Sequence, residues 1–273
     1  MVTQTIEVKE ITAKTILVPS KLPKCDYVIN PYTGCAFGCS YCYASFMGRF
    51  VGKEISEWGT YVYAKTNAPD LLKDELKKLK EKGKGKTILL SSVTDPFQGV
   101  EAKYKLSTRC LEVLAEYGFE GDVSLLTKSP LVLNVLPILK KLKSVDVGVT
   151  ITSTDDSISR YFEKFAPPAS SRLETLKKLN SAGIQTYAFF GPLLPHFVAN
   201  EEVIRKILDA IHKTGTRRLF IEHINLSPYI KNRMLKELPD IDKHILETFY
   251  SSQSKDYRNE INGLLLELLK EYD

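Results

Sequence analysis

The sequence lacks a long apolar stretch, and this excludes a chain that crosses a membrane. None of its 273 residues lies in a run near the ~20 apolar residues needed to span a bilayer. An N-terminal apolar signal segment is also lacking, so nothing places the chain in an oxidising compartment. We therefore expect a cytoplasmic protein with no membrane partner, in which disulfides are the least favoured use of the five cysteines.

A strong charge of one sign, an internal repeat, a low-complexity tract and a clear linker are lacking as well. The net charge of +5 is mild, so it permits an anionic partner without requiring one. An apolar fraction of 43% and a charged fraction of 26% are typical of globular proteins. We expect one domain over residues 1–273, with a core at about 25–227 and a C-terminal helical extension at about 228–273.

Three of the cysteines are grouped with C-x3-C-x2-C spacing: Cys35, Cys39 and Cys42. Soft thiolates favour an iron–sulfur cluster or zinc over hard cations. A cubane cluster has four irons, so three cysteines would leave one iron without a protein ligand. Zinc is the alternative, but it takes four tetrahedral ligands, usually from two closely spaced pairs. Cys25 is available as a fourth ligand, although Pro31 and Gly34 favour a turn into the loop over a zinc knuckle.

Apolar, β-branched runs alternate with helical patterns along the chain. The predicted strands are 27–30, 87–93, 123–127, 145–151, 185–190 and 219–224, and the predicted helices are 65–82, 105–117, 131–142, 170–182, 201–214 and much of the tail from 242. Six such β-α units indicate a parallel sheet with helices outside it, too few to close an eight-fold barrel. The predicted fold is α/β, an open partial (β/α)6 TIM-like barrel followed by the helical extension.

The predicted site lies in the loops that leave the carboxyl ends of these strands. The first strand leads into the cysteine loop, and the polar residues after later strands are Ser92, Thr94, Asp95, Lys128, Thr152 and Ser153. Of the four histidines only His196 lies at a strand end, where it could transfer a proton. The crowded lysines of segment 73–86 are interpreted as a solvated helix face rather than a nucleic-acid patch.

Several motifs together resemble one enzyme family. They are Asn30-Pro31-Tyr32-Thr33-Gly34-Cys35, Tyr41-Cys42-Tyr43-Ala44, Ser91-Ser92-Val93-Thr94-Asp95-Pro96-Phe97-Gln98 and Phe165-Ala166-Pro167-Pro168-Ala169. The chain resembles the radical S-adenosylmethionine (SAM) superfamily, and within it the spore photoproduct lyase, or DNA repair photolyase-like, branch. The resemblance implies a 4Fe–4S cluster on the three cysteines, with SAM chelating the fourth iron. It also implies a one-electron reductant of the ferredoxin or flavodoxin type, and reductive cleavage of SAM to a 5′-deoxyadenosyl radical.

The resemblance implies roles for particular side chains. Tyr41 and Tyr43 correspond to a tyrosine pair that relays the radical in the lyase, and Tyr41 is alternatively only the aromatic that contacts adenine. Ser92 stands where the lyase carries a cysteine that returns a hydrogen atom, and an alcohol O–H bond is too strong for the same task. Cys110 lies on an apolar helix face and is interpreted as a core thiol.

The chemistry of SAM selects the other candidates. Its carboxylate needs a cation, and we expect Lys128 to supply it unless Lys128 is a plain surface residue. Thr94 and Asp95 should face the amine or ribose, or else form an Asx-type turn before Pro96. Ser153 is a further candidate at the depth of the site.

Two side-chain roles outside the cofactor site are also predicted. Glu101 and Arg109 are predicted to pair and hold the loop after the second strand, or alternatively to contact substrate, while Arg172 is expected to be structural.

The favoured function is a radical SAM enzyme with a lyase-like reaction on a damaged or modified nucleic acid. Lys231 and Arg233 are candidates for phosphate contacts. Radical modification of a peptide or small metabolite is the alternative within enzymes. A non-catalytic cluster or zinc protein that binds nucleic acid is the alternative from another class.

Overall fold

The computed structural model describes residues 5–198, 200–238 and 240–272. Within them the strands are β1 Glu7–Ile11, β2 Leu17–Pro19, β3 Tyr27–Ile29, β4 Tyr32–Thr33, β5 Tyr61–Lys65, β6 Thr87–Leu90, β7 Asp122–Thr127, β8 Val145–Thr150, β9 Gln185–Leu193 and β10 Leu219–His223. The helices are α1 Ala68–Leu76, α2 Glu101–Tyr104, α3 Leu106–Tyr117, α4 Leu136–Leu139, α5 Asp156–Phe162, α6 Ala169–Ser181, α7 Glu201–Lys213, α8 Pro228–Glu237, α9 Lys243–Ser251 and α10 Lys255–Leu269. No helix of this described part is long and apolar enough to span a bilayer.

The main sheet confirms the predicted parallel arrangement. Its seven strands follow the order β10-β9-β8-β7-β6-β3-β2, and the six predicted strands are parallel neighbours in chain order. The seventh, β2, was not predicted and pairs antiparallel with β3 at the edge. Because β10 and β2 lie at opposite ends of this order, the described sheet is an open partial barrel with helices around it.

A small second sheet was missed by the sequence analysis. Its order is β1-β5-β4, with β1 parallel and β4 antiparallel to β5. Lys65 was predicted to begin a helix, but it is the last residue of β5, and α1 begins only at Ala68. Asn67 precedes α1 without capping it by its side chain, because that amide exchanges hydrogen bonds of 2.8 and 2.9 Å with the backbone of Ala13.

Prolines and glycines explain where the predicted helices succeed or fail. Helix α3 ends at Gly118, which has a left-handed φ of 68°, as predicted. The predicted helix 131–142 is wrong: a 3₁₀ turn over Pro130–Val135 leads into the short α4. Pro137 has no amide hydrogen to donate within a longer helix.

The predicted ion pair between Glu101 and Arg109 is wrong. The buried carboxylate of Glu101 instead accepts hydrogen bonds from the backbone amides of Ser107 and Thr108, at 3.1 and 2.8 Å, in the first turn of α3. The Tyr32 hydroxyl donates to the same carboxylate. Glu101 therefore satisfies free amides at a helix start, which is where a negative charge is favoured.

Candidate functional site

The cysteine loop requires glycine at its entrance. Gly34 has φ +93°, and a Cβ there would lie 2.4 Å from the carbonyl oxygen of Tyr61 in β5. The Gly34 carbonyl accepts hydrogen bonds from Thr94 Oγ1 at 2.6 Å and Gln98 Nε2 at 3.2 Å. Gln98 Oε1 in turn accepts from the Ala36 amide at 2.7 Å. The loop that follows β6 thus fixes the backbone of the cysteine loop. The Thr94 hydroxyl is used for one of these contacts, the hydrogen bond to Gly34.

The three thiols are shielded from water to different extents. Cys35 and Cys39 are buried and Cys42 is half-buried. Burial raises the pKa of all three thiols, that of Cys39 to about 12, while the charge of Lys128 acts in the opposite direction on Cys39 and Cys42. A thiol binds metal as the thiolate, so a bound metal has to supply the positive charge that stabilises it.

The donor set fits a cluster better than a single ion. Among residues 5–198, 200–238 and 240–272, no three His, Cys, Asp or Glu side chains are grouped so as to hold one metal ion. A zinc ion would draw all its thiolates to about 2.3 Å from one centre. Cluster ligands bind different irons and therefore lie farther apart. Three soft donors without a fourth suit the 4Fe–4S alternative.

Glu163 is the centre of the site, and the sequence analysis missed it. It follows α5, is 0% exposed, and accepts hydrogen bonds from Thr152 at 3.3 Å and from Tyr41 and Arg172. Lys128 Nζ lies 3.8 Å from its carboxylate. Burial acts to raise the pKa of Glu163, but the positive charges of Arg172 and Lys128 outweigh it and hold the pKa below the usual value.

Lys128 is not a plain surface residue. Its side chain is 17% exposed at the end of β7, and its backbone amide donates to Asp95 at 2.8 Å. Burial acts to lower the pKa of Lys128, but Cys39 and Glu163 raise it overall, so the ammonium stays charged. Lys128 therefore presents a cation beside the cysteine loop, and Glu163 alone does not neutralise both it and Arg172.

Asp95 connects the ends of two neighbouring strands. Its carboxylate accepts hydrogen bonds from Thr127 Oγ1 at 2.7 Å, the Lys128 amide at 2.8 Å and the Phe97 amide at 2.9 Å. The bond to Phe97 is the Asx-type turn that the sequence left open as an alternative. Burial is the main cause that raises the pKa of the Cys35 thiol, and the charge of the nearby Asp95 raises it further.

Tyr43 and Ser92 lie next to each other in the structure. The Tyr43 hydroxyl donates to the Ser92 carbonyl, and the side chain is 51% exposed. Asn30 holds this segment, since its Oδ1 accepts from the Ser92 amide at 2.9 Å and its Nδ2 donates to Ser92 Oγ at 3.2 Å. From the other side the Tyr229 hydroxyl of α8 donates to the Tyr43 carbonyl at 2.9 Å. Tyr41, by contrast, is buried against Glu163.

The remaining candidates lie at the edge of this arrangement. Ser153 is 2% exposed, and its hydroxyl accepts from the Asp155 amide at 3.0 Å in a local turn. His196 is exposed after β9, and its ring contacts those of Phe197 and His244. Neither side chain contacts Glu163 in the described contacts. The signal that could have revealed Glu163 was a carboxylate two residues before the Phe165–Ala169 motif and nine residues before Arg172.

Comparison with known proteins shows which family the chain belongs to. The family model for the Radical SAM superfamily matches residues 29–211. An uncharacterized protein of Methanocaldococcus jannaschii is 36% identical over 221 residues, which are 81% of this chain and 79% of that protein. An uncharacterized protein of Acidianus two-tailed virus is 26% identical over 260 residues, which are 90% of this chain and 80% of the viral protein.

A solved structure shares the fold. Spore photoproduct lyase complexed with dinucleoside spore photoproduct superimposes with a TM-score of 0.69, covering 96% of this chain and 79% of that chain. The two sequences are 14% identical over this match. At that identity the likeness shows a common fold and nothing about the reaction of this chain.

Proposed function

This chain belongs to the radical SAM superfamily, whose members use a 4Fe–4S cluster and S-adenosylmethionine, and we propose that Cys35, Cys39 and Cys42 bind that cluster here. The observation that carries the proposal is one loop with three enclosed thiols and the cationic Lys128 beside it. When bound, the cluster would supply one electron to SAM, which breaks into methionine and a 5′-deoxyadenosyl radical. We assign the electron to a ferredoxin- or flavodoxin-type donor, and residues 1–273 to one catalytic domain.

Lys128 is the proposed partner of the SAM carboxylate. Its ammonium is enclosed, charged and held toward the cysteine loop by Glu163, so a carboxylate would meet it with little loss of side-chain entropy. Thr94, Asp95, Ser92 and Ser153 are proposed neighbours of the cofactor, oriented by the backbone contacts described above. Because these residues already make hydrogen bonds within the protein, we expect them to define the shape of the cofactor site rather than to bind the cofactor through unused polar groups.

We assign different roles to the two tyrosines. Tyr43 is half exposed beside Ser92, which supports its assignment to the radical relay. Tyr41 has its hydroxyl on the buried Glu163, which supports a role as the aromatic wall for adenine. A relay through both would require the Tyr41 hydroxyl to leave a carboxylate that is itself paired with Arg172.

The proposed substrate is a damaged or modified nucleic acid, and the reaction is lyase-like hydrogen abstraction. Support comes from the motifs at 30–35, 41–44 and 91–98, which resemble those of the spore photoproduct lyase branch. A lyase solved with dinucleoside spore photoproduct also shares the fold. The presence of Ser92 in place of a cysteine argues for a lesion other than spore photoproduct, because an alcohol with its strong O–H bond cannot replace a thiol as a hydrogen-atom donor. Radical modification of a peptide or small metabolite is the alternative enzyme function.

Anaerobic reconstitution with iron and sulfide tests the proposal. About four irons per chain and slow formation of 5′-deoxyadenosine with dithionite are expected, with all iron lost from Cys→Ala variants. Product analysis with candidate lesion dinucleotides and with peptides would then separate the two substrate classes. Stoichiometric zinc and no iron after reconstitution would overturn the proposal.

A further inference from the structure

Two buried N–H groups beside the cysteine loop have no hydrogen-bond partner. They are the indole Nε1 of Trp58 and one guanidinium nitrogen, Nη1, of Arg233, and both lack a partner within the described part of the chain. Trp58 is 4% exposed, and the Arg233 side chain 2%. Leaving a buried donor unsatisfied costs about 1–3 kcal/mol, so two at one place call for an explanation.

Both residues contact the cysteine loop, Arg233 through its side chain and Trp58 through its backbone. Arg233 Nη2 donates to the Gly38 carbonyl, between Cys35 and Cys39, at 2.9 Å. The backbone of Trp58 and Gly59 packs against Gly38, where an added Cβ would lie 3.0 Å from the Gly59 Cα. Burial raises the pKa of the Cys42 thiol, whereas the charge of Arg233 and the indole N–H of Trp58 lower it. Together with the packing of Trp58 in the same core cluster as Cys35 and Cys39, these contacts place both N–H groups beside the cysteine loop.

We propose that Trp58 and Arg233 are positioning residues that donate N–H hydrogen bonds to sulfur when the cluster is bound. The inference rests on the proposed function, since it needs the cluster. Hydrogen bonds to its sulfurs, and a fixed positive charge beside it, stabilise the more negative reduced form, so they raise its reduction potential. The two residues would thus make the cluster easier to reduce by its electron donor.

The chain offers a matched control. The Tyr61 hydroxyl is also buried without a partner in the described residues. The Tyr61 ring packs edge-on against the Trp58 ring, with 6.2 Å between the ring centroids. A Cβ on Gly48 would lie 2.8 Å from this hydroxyl, which places it toward the segment after the cysteines. Tyr61→Phe therefore removes an unsatisfied group of the same neighbourhood without removing either of the two N–H groups.

The test is an anaerobic redox titration of the reconstituted protein, followed by electron paramagnetic resonance. Trp58→Phe and Arg233→Met should each lower the equilibrium constant for reduction at least tenfold, about 59 mV for one electron. Arg233→Lys keeps the charge, so its reduction potential should lie between those of wild type and Arg233→Met. Tyr61→Phe should have the reduction potential of wild type. Iron content and thermal unfolding are measured on every variant.

The outcomes separate this inference from the proposed function. Failure of the wild-type protein to hold iron would overturn the cluster and, with it, this inference. A wild-type cluster with unchanged potential in Trp58→Phe would overturn the inference alone. Loss of iron from a folded Trp58→Phe protein would also overturn it, because a bond that only tunes the cluster is not needed to hold it.

Discussion

Replacing Glu163 by glutamine should destabilise the protein strongly. Glu163 and Arg172 are both 0% exposed, and Lys128 faces the same carboxylate. Glutamine keeps the shape but removes the only negative charge that these two cations share in the described contacts. Breaking a buried ion pair on one side costs about 3–5 kcal/mol, because the remaining charge stays buried. That loss is a large part of the total stability of about 5–15 kcal/mol expected for a domain.

Urea denaturation of the chain without metal measures this change. The midpoint should fall for Glu163→Gln with little change in slope, since the buried surface stays the same. The matched control is Glu202→Gln, which removes one charge from an exposed pair with Lys206 in the first turn of α7 and should lower the midpoint far less. Equal midpoints for wild type and Glu163→Gln would refute the assignment of Glu163 as the counter-charge of the site.

The same pair predicts a dependence on pH. The folded pKa of Glu163 lies below its usual value, because Arg172 and Lys128 outweigh the effect of burial. Its contribution is therefore complete above the unfolded pKa of about 4.3 and is lost as pH falls through the folded pKa. The stability difference between wild type and Glu163→Gln should accordingly shrink on acidification below about pH 4, and a difference that grows there would contradict the sign.

Three further outcomes are expected. Alanine at Cys35, Cys39 or Cys42 should abolish iron binding after anaerobic reconstitution, and iron retained in any one would remove that thiol from the ligand set. Lys128→Ala should weaken SAM binding, measured by equilibrium dialysis, more than it lowers iron content; unchanged affinity would remove Lys128 from the site. The wild-type protein should not repair spore photoproduct efficiently, and Ser92→Cys should not by itself confer full activity; multiple turnovers to thymine, measured by mass analysis of a lesion dinucleotide, would contradict this.

The parallel sheet could be predicted because each of its six parallel strands has its own local sequence signal. Runs such as Val145–Thr150 are apolar and β-branched, and helical patterns between them leave parallel pairing as the arrangement that satisfies both. The small sheet was not predictable in the same way. Strand β4 has two residues, and three of the five residues of β1 are charged, so neither carries the periodicity on which such predictions depend.

The site was predicted where one short motif carries the chemistry, and missed where the chemistry depends on distant pairing. The cysteines and Lys128 stand at strand ends that the fold brings together. Glu163 acquires its role from Arg172 on the next helix and from Lys128 on another strand, and neither contact has a sequence pattern. Thr94 and Asp95 were placed correctly at the loop, but their side chains are used to fix the backbone.

The contact between α8 and the cysteine loop has a consequence for the order of assembly during synthesis. Arg233 and Gly38 are 195 residues apart, and Tyr229 and Tyr43 are 186 apart. At a synthesis rate of about 5–20 residues per second, roughly 10–40 seconds pass between the two ends of such a contact. Until α8 leaves the ribosome, the loop has an open side. If this loop holds the proposed cluster, its delivery to the complete loop would therefore have to wait until α8 has been translated.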